Sequence, residues 1–359
     1  MALTTVRPQG MGFNTGRRNL IINGAMQVAQ RGTSETSVST SQYANACDRF
    51  KVNGNNGTWT ISQDTNAPDG FSNSFKMLLT ATETISGTSY WSVEQKMEGQ
   101  NLQGLAYGTS SAKTVTVSFY VKSNITGTYC LNLYQDDGTK NFPKTYTIDS
   151  ANTWERKTIS FVGDTSTALD NDNAASLRTQ FFVVAGSSYN SGSSGSRVAY
   201  SDATFAAGHS AQIDAVNDYW QITGLQLEVG ENASDFEHRS FGEELAACQR
   251  YYWQLSTGVH GNYPSWAATG YNTNQCNINL PFPVPMRTVP TASFNTGNVN
   301  YYRFYRGGGN ENFGNVATDT ITSEHLNMYG DGISHTQGLN GTLQIRLADG
   351  AGVFVTAEL

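Results

Sequence analysis

The stretch KTVTVSFYVKS, Lys113 to Ser123, alternates with a period of two. Val115, Val117, Phe119 and Val121 fall on one side, and Thr114, Thr116, Ser118 and Tyr120 on the other. Successive side chains of a strand point to opposite faces, so this segment has one face to bury and one to leave polar. A chain built around it needs a sheet with a core on one side. Similar segments recur as NSFKMLLTAT, YWSVEQKM, TWERKTISFVGD, SLRTQFFVVAG and YWQITGLQLEVG, with turn signals such as Asp137-Gly138 between them. Strands at this spacing predict an all-β fold, a jelly-roll β-sandwich over residues 19–238. NLIING, Asn19 to Gly24, reads as a first short strand ending in an Asn-Gly turn, and SSYNSGSSGSRV as a flexible loop.

Composition supports strands over helices. Charged residues are 14% of the 359, against roughly 25% in an average domain. Their place is taken by 36 Gly and by 18 Tyr, 17 Phe and 6 Trp. The net charge of -7 and the lack of a basic cluster weigh against nucleic-acid binding. No run of about 18 apolar residues provides a membrane span. The first residues, MALTTVRPQGMGF, lack the apolar core of a signal peptide, so synthesis and folding in a cytoplasm are expected. Cys47, Cys130, Cys248 and Cys276 are far apart and predict free, mostly buried thiols.

One helix is expected, over residues 239–256. Ser240 and Glu243 have capping-box spacing, and Leu245, Cys248, Tyr252 and Leu255 recur as one apolar face. Leu245, Cys248 and Tyr252 are expected at a domain junction or along a trimer axis. Strand signals resume afterwards, predicting a second, smaller β-sandwich domain over residues 257–359. Residues 1–18 show no periodicity and read as an arm.

The chemistry is sparse. No hydrolase, metalloprotease, P-loop or dinucleotide motif is present. Asp235, Glu237 and His238 could form an acid/base group, but no nucleophile accompanies them. The structural alternative is that they seal the end of the first domain, with Arg239 pairing Glu237 or Glu228. The acidic stretch DTSTALDNDN, Asp164 to Asn173, could hold calcium but lacks EF-hand spacing and reads better as a solvated loop. YRGGGNENF, Tyr305 to Phe313, reads as a mobile loop. Aromatics are dense in the second domain, and exposed rings can stack on the apolar face of a sugar. Trp266, Tyr301, Arg303 and Tyr305 are therefore the candidate carbohydrate-binding residues, with a subunit interface as the alternative. Neither a cofactor nor a metal is expected.

The segments RRNLIINGAMQVAQRGTS, YANACDRF, VTVSFYVKS, TWERKTISF, ITGLQLEVGENASDFEHRSFGEELAACQRYYW and PVPMRTVPT, in this order, resemble a family of tail-fibre-like virion proteins of phages, prominently phages of marine bacteria. The resemblance implies a carbohydrate-binding-module-like jelly roll, a linker helix and a C-terminal β domain on homotrimeric virion appendages, without catalysis. Only about 18 residues precede the shared part, which favours a short knob, fibre tip or decoration attached through the arm. The expectation is a non-enzymatic virion protein, assembled in the host cytoplasm. It would bind tail or capsid proteins through residues 1–18 and host surface glycans through its C-terminal domain. The alternatives are a capsid decoration protein and, more remotely, a glycan depolymerase.

Overall fold

The computed structural model describes residues 17–255, 263–334 and 336–359. The fold is all-β, built of antiparallel sheets, and divides into an N-terminal unit ending at Glu244 and a C-terminal unit, Leu245–Glu358. The expected arm falls almost wholly on residues 1–16, which lie outside the described residues.

The N-terminal unit contains β1 (Ser34–Val38), β2 (Lys51–Gly54), β3 (Thr58–Asp64), β4 (Ser74–Ala81), β5 (Tyr90–Glu98) and β6 (Val115–Ser123). It continues with β7 (Gly127–Gln135), β8 (Lys140–Asn141), β9 (Pro143–Ile148), β10 (Glu155–Phe161), β11 (Ala175–Ala185), β12 (Val198–Ala199) and β13 (Tyr219–Val229). One sheet has the order β1-β3-β4-β13-β6-β10, and the other β12-β8-β7-β11-β5-β2 with β9 also paired to β7. Val115, Val117, Phe119 and Val121 face the shared core, as their alternation requires. They meet the fully buried Trp59, Trp91 and Trp220 there. Each large apolar side chain so buried contributes about 1.5–3 kcal/mol.

Two local expectations are corrected. Residues 19–24 form no strand, because the amides of Ile21, Ile22 and Asn23 are taken by side chains while Leu20 and Gly24 bond the β13 backbone. Asn19 Oδ1 accepts from the amides of Ile21 and Leu227, and Asn23 bridges Val28 and the Asp48 carbonyl. The Gly/Ser segment after β11 is likewise no loose loop. It carries the short helix α1 (Ser187–Asn190) and packs Tyr189 against Phe205 of the following helix α2 (Asp202–Phe205), with ring centroids 5.7 Å apart. Burial of aromatics overrides the flexible composition here.

The helix α3 spans Phe241–Gln249. Its capping box is present: the Ser240 amide donates to Glu243 Oε2 at 3.0 Å, and the Glu243 amide to Ser240 Oγ at 3.3 Å. The helix is shorter than the expected 239–256. Tyr252 and Leu255 belong instead to β14 (Tyr252–Leu255), whose four residues are all buried. Aromatic residues suit a strand, and pairing with the chain's last strand outweighs the helical periodicity. Leu245 is half-buried and Cys248 fully buried on α3, so the proposed apolar face loses Tyr252 to the sheet.

The C-terminal unit continues with β15 (Ser265–Gly270), β16 (Gln275–Pro281), β17 (Thr291–Phe294), β18 (Tyr302–Arg306) and β19 (Gly309–Phe313). Its last strands are β20 (Asn315–Ile321), β21 (His325–Asp331), β22 (Asn340–Ile345) and β23 (Val353–Thr356). They make a three-stranded sheet, β14-β23-β17, and a seven-stranded one, β19-β18-β22-β15-β16-β21-β20. The stretch expected as a mobile loop is the β18–β19 hairpin, with Arg306 paired to Gly309 across Gly307-Gly308. Gly308 has φ of +90°, a left-handed conformation that glycine adopts without strain.

His209 is buried in the N-terminal unit, its Nδ1 accepting from the Cys130 amide while Nε2 has no partner. Burial pushes its pKa down to about 4. The unfolded chain therefore binds a proton in a pH range where the folded chain does not. Stability is full above the ordinary histidine value and is lost as pH falls toward 4, by about 3 kcal/mol for this group. Asp164 acts lower: burial opposes it, but Lys140, Ser166 and Arg197 hold it at about 2, so its contribution fades only below the ordinary carboxylate value. Urea unfolding followed by near-ultraviolet circular dichroism should show wild-type stability falling between pH 6.5 and 4 by about 3 kcal/mol more than that of His209→Gln. Parallel pH profiles for the two proteins would refute this.

Candidate functional site

The outward face of the six-stranded sheet carries a cleft of about 300 Å³. Its floor comes from Ser118 and Tyr120 on β6 and Gly224 on β13, and Arg156 of β10 stands beside it. Its walls come from two connecting segments, Asp69–Phe71 before β4 and Asp235–His238 after β13.

Each wall is positioned by local chemistry. Pro68-Asp69-Gly70-Phe71 is a turn in which the Phe71 amide donates to the Pro68 carbonyl at 3.1 Å. Gly70 has φ of +89°, as the third position of such a turn requires. Phe71 then meets Tyr120, Phe236 and His238, with ring centroids 5.5, 5.0 and 5.3 Å away. Gly224 makes that approach possible. A Cβ there would stand 2.7 Å from Phe71 Cζ and 3.0 Å from the Tyr120 ring, and its φ is +60°.

The second wall hangs on two carboxylates behind it. Glu228 accepts from the amide and hydroxyl of Ser234 and from Gln226 Nε2, and pairs with Arg18 at 3.6 Å. Glu237 accepts from the amides of Arg18 and Asn19 at 2.9 and 2.8 Å and pairs with Arg239 at 3.2 Å. Burial alone would raise its pKa, yet these donors hold it below the ordinary carboxylate value. The trio Asp235, Glu237 and His238 is thus divided. Asp235 and His238 line the cleft, whereas Glu237 fastens the start of the described chain, and Arg239 pairs with it as the structural alternative requires.

The cleft combines aromatic rings with polar groups turned to solvent. Asp69, Asp235, Arg156 and His238 are exposed, and Phe71, Tyr120 and Phe236 half-buried. Arg156 Nη2 donates to the Ser234 carbonyl at 2.9 Å. Such a surface can hold an apolar ring face while reading hydroxyls at its edge.

The residues singled out in the second domain do not converge. Trp266 pairs with Leu343, and Leu343 with the buried Phe304, so Trp266 shares the core-side face. Tyr301 precedes β18 and packs on the same core. Arg303 and Tyr305 lie on the opposite face, where Arg303 Nη1 donates to the Tyr305 hydroxyl at 3.1 Å and Nε to Asn312. The two faces of one strand cannot present a single platform.

Other candidates are tied up structurally. Asp164 binds Lys140 Nζ at 2.6 Å, and among the described residues no three His, Cys, Asp or Glu side chains gather as a metal-binding group. All four cysteines are buried, and none forms a disulfide. Burial pushes the thiols of Cys47, Cys130 and Cys276 up, the last to about 12, so they supply no thiolate at neutral pH.

No protein-family model matches the chain, and neither does any curated protein. Among solved structures it is similar to the enzymatically active domain of tailspike protein 4 of bacteriophage CBA120, at 12% identity and a TM-score of 0.32, over 59% of this chain and 21% of that one. It is also similar to a family 4 carbohydrate-binding module, at 12% identity and a TM-score of 0.30, over 58% of this chain and 98% of that one. A third similarity is to TmCBM61 in complex with β-1,4-galactotriose, at 11% identity and a TM-score of 0.29, over 60% of this chain and all of that one.

Gly224→Ala should cost about 2–3 kcal/mol, since it adds both backbone strain and a clash with Phe71. Gly70→Ala, where a Cβ meets nothing within 4 Å, should cost only about 1 kcal/mol of strain. Thermal melts of the two variants check the order, and equal losses would mean that Phe71 is not held against Gly224.

Proposed function

We propose that this chain is a non-catalytic structural protein of a phage particle, a short tail fibre or knob that assembles as a homotrimer and binds host surface glycans. The glycan is assigned to the cleft of the N-terminal unit rather than to the C-terminal domain. The observation that carries the assignment is the grouping of Phe71, Tyr120 and Phe236 with Asp69, Arg156 and Asp235 in one solvent-facing cavity. Rings stack on the C–H face of a pyranose, and the charged groups hydrogen-bond its hydroxyls. The particle assignment rests on the tail-fibre-like sequence segments, with residues 1–18 as attachment to tail or capsid.

A depolymerase reading has one observation in its favour: two carboxylates, Asp69 and Asp235, line the same cleft. Glycoside hydrolysis needs such a pair about 5–10 Å apart, one of them protonated. Both are exposed, whereas the general acid of such a pair is set in an apolar pocket.

The test is titration of the purified chain with host surface polysaccharide, together with an assay for new reducing ends. Binding should weaken at least about tenfold in Phe71→Ala, the loss of one stacking ring, without release of reducing ends. Reducing ends that disappear in Asp69→Asn would overturn the non-catalytic reading. Failure to bind polysaccharide or to compete with phage adsorption would overturn the glycan reading. A monomer by light scattering at micromolar concentration would remove the trimer.

A further inference from the structure

The charge inside the cleft, taken with the proposed function on which this rests, points to the class of glycan bound: we infer that it takes uncharged pyranoses and that Asp69 and Asp235 exclude saccharides bearing carboxylates. Asp69 comes from the turn before β4 and Asp235 from the segment after β13, and the guanidinium of Arg156 and the imidazole of His238 line the cavity with them. Among the described residues neither Asp side chain has a hydrogen-bond or ion-pair partner. The neighbouring cations do not offset them. Arg18 is engaged by Glu228 and the Asp235 carbonyl, and Arg239 by Glu237 and Glu244. Arg156 itself is drawn to the Ser234 carbonyl.

The cleft therefore sets two carboxylates against one guanidinium and the imidazole of His238, between walls made of Phe71, Phe236 and Tyr120. Asp69 and Asp235 stand on opposite walls of one cavity, so a uronate or sialate carboxylate placed between them meets repulsion from two sides. Hydrogen-bond roles act in the same direction. An ionised Asp only accepts, so it matches a sugar hydroxyl that donates, whereas a sugar carboxylate brings a second acceptor and no donor. Arg156 and the Tyr120 hydroxyl can donate to the oxygens of the same neutral ring. Specificity then comes from a repulsive element as much as from an attractive one.

The test compares a panel of neutral oligosaccharides with uronic acid oligosaccharides of equal length, by calorimetric titration of the full chain in low and high salt. Uronates should bind at least about tenfold more weakly than their neutral counterparts. The gap should narrow in high salt and in the double variant Asp69→Asn/Asp235→Asn, which keeps the shape and removes the charge. Equal affinity of the wild type for both series, or a gap unchanged in the double variant, overturns charge selection and leaves the glycan reading standing. Absence of binding to either series, with Phe71→Ala indistinguishable from wild type on host polysaccharide, overturns both.

Discussion

Strand β13 carries one residue more than its neighbour β6 can pair. Thr223 stands opposite Tyr120 and Gln226 opposite Ser118, so three steps on β13 match two on β6. The extra residue switches the alternation, and Leu225 and Leu227 enter the core as Trp220 and Ile222 do before it. The switch also lifts Leu225's amide and carbonyl out of the regular ladder. They are met by the Gly24 carbonyl at 2.9 Å and by Asn19 Nδ2 at 3.1 Å. A Cβ on Gly24 would stand 2.1 Å from the Leu225 carbonyl oxygen, so only glycine fits there. On the outward side the same bulge puts Gly224 under Phe71. One irregularity in one strand thus fixes both the path of residues 19–24 and the floor of the cleft.

The acidic residues around this bulge divide by environment. Glu228, almost fully buried, and Glu237 accept several hydrogen bonds each and hold backbone segments in place. A carboxylate with several donors is a rivet, because its removal would leave buried amides unpaired. Asp69 and Asp235, a few residues away along the chain or across the cleft, are exposed. The stretch around Phe236 to His238 therefore serves two purposes by alternation. Phe236 and His238 face the cleft, and Glu237 between them faces the amides of Arg18 and Asn19.

The sheets were legible because their signal is local. The even spacing of Val115, Val117, Phe119 and Val121 needs no knowledge of what lies opposite, and it placed the core face correctly. The capping box of Ser240 and Glu243 is equally local. Tyr252 and Leu255 were misread because a helical recurrence and an aromatic strand share the same few residues, and only pairing with β23 decides between them. Residues 19–24 were misread because an Asn side chain can replace a strand's hydrogen bonds without any change in apolar pattern. The cleft was hidden for a different reason: its rings come from positions 71, 120 and 236, which only the fold brings together. Its traces in the sequence are small, namely the Pro-Asp-Gly turn before Phe71, Tyr120 on the polar side of a strand, and the alternation slip at Thr223-Gly224.

The two units use similar residues to opposite ends. On the outward face of the C-terminal seven-stranded sheet, Arg303 bonds Tyr305 and Asn312, and Asn279 bonds Asn327, so these polar groups satisfy one another across the strands. Such a face is solvated and leaves little unspent hydrogen-bonding capacity for a ligand. In the cleft the arginine reaches a backbone carbonyl, the carboxylates have no partner among the described residues, and the rings pack edge to face with part of their surface still exposed. Density of tyrosine and arginine does not separate the two surfaces. The separation lies in which polar groups the fold has already satisfied, and by that criterion the N-terminal cleft is the place where a hydroxyl-rich ligand gains bonds that the protein does not make with itself.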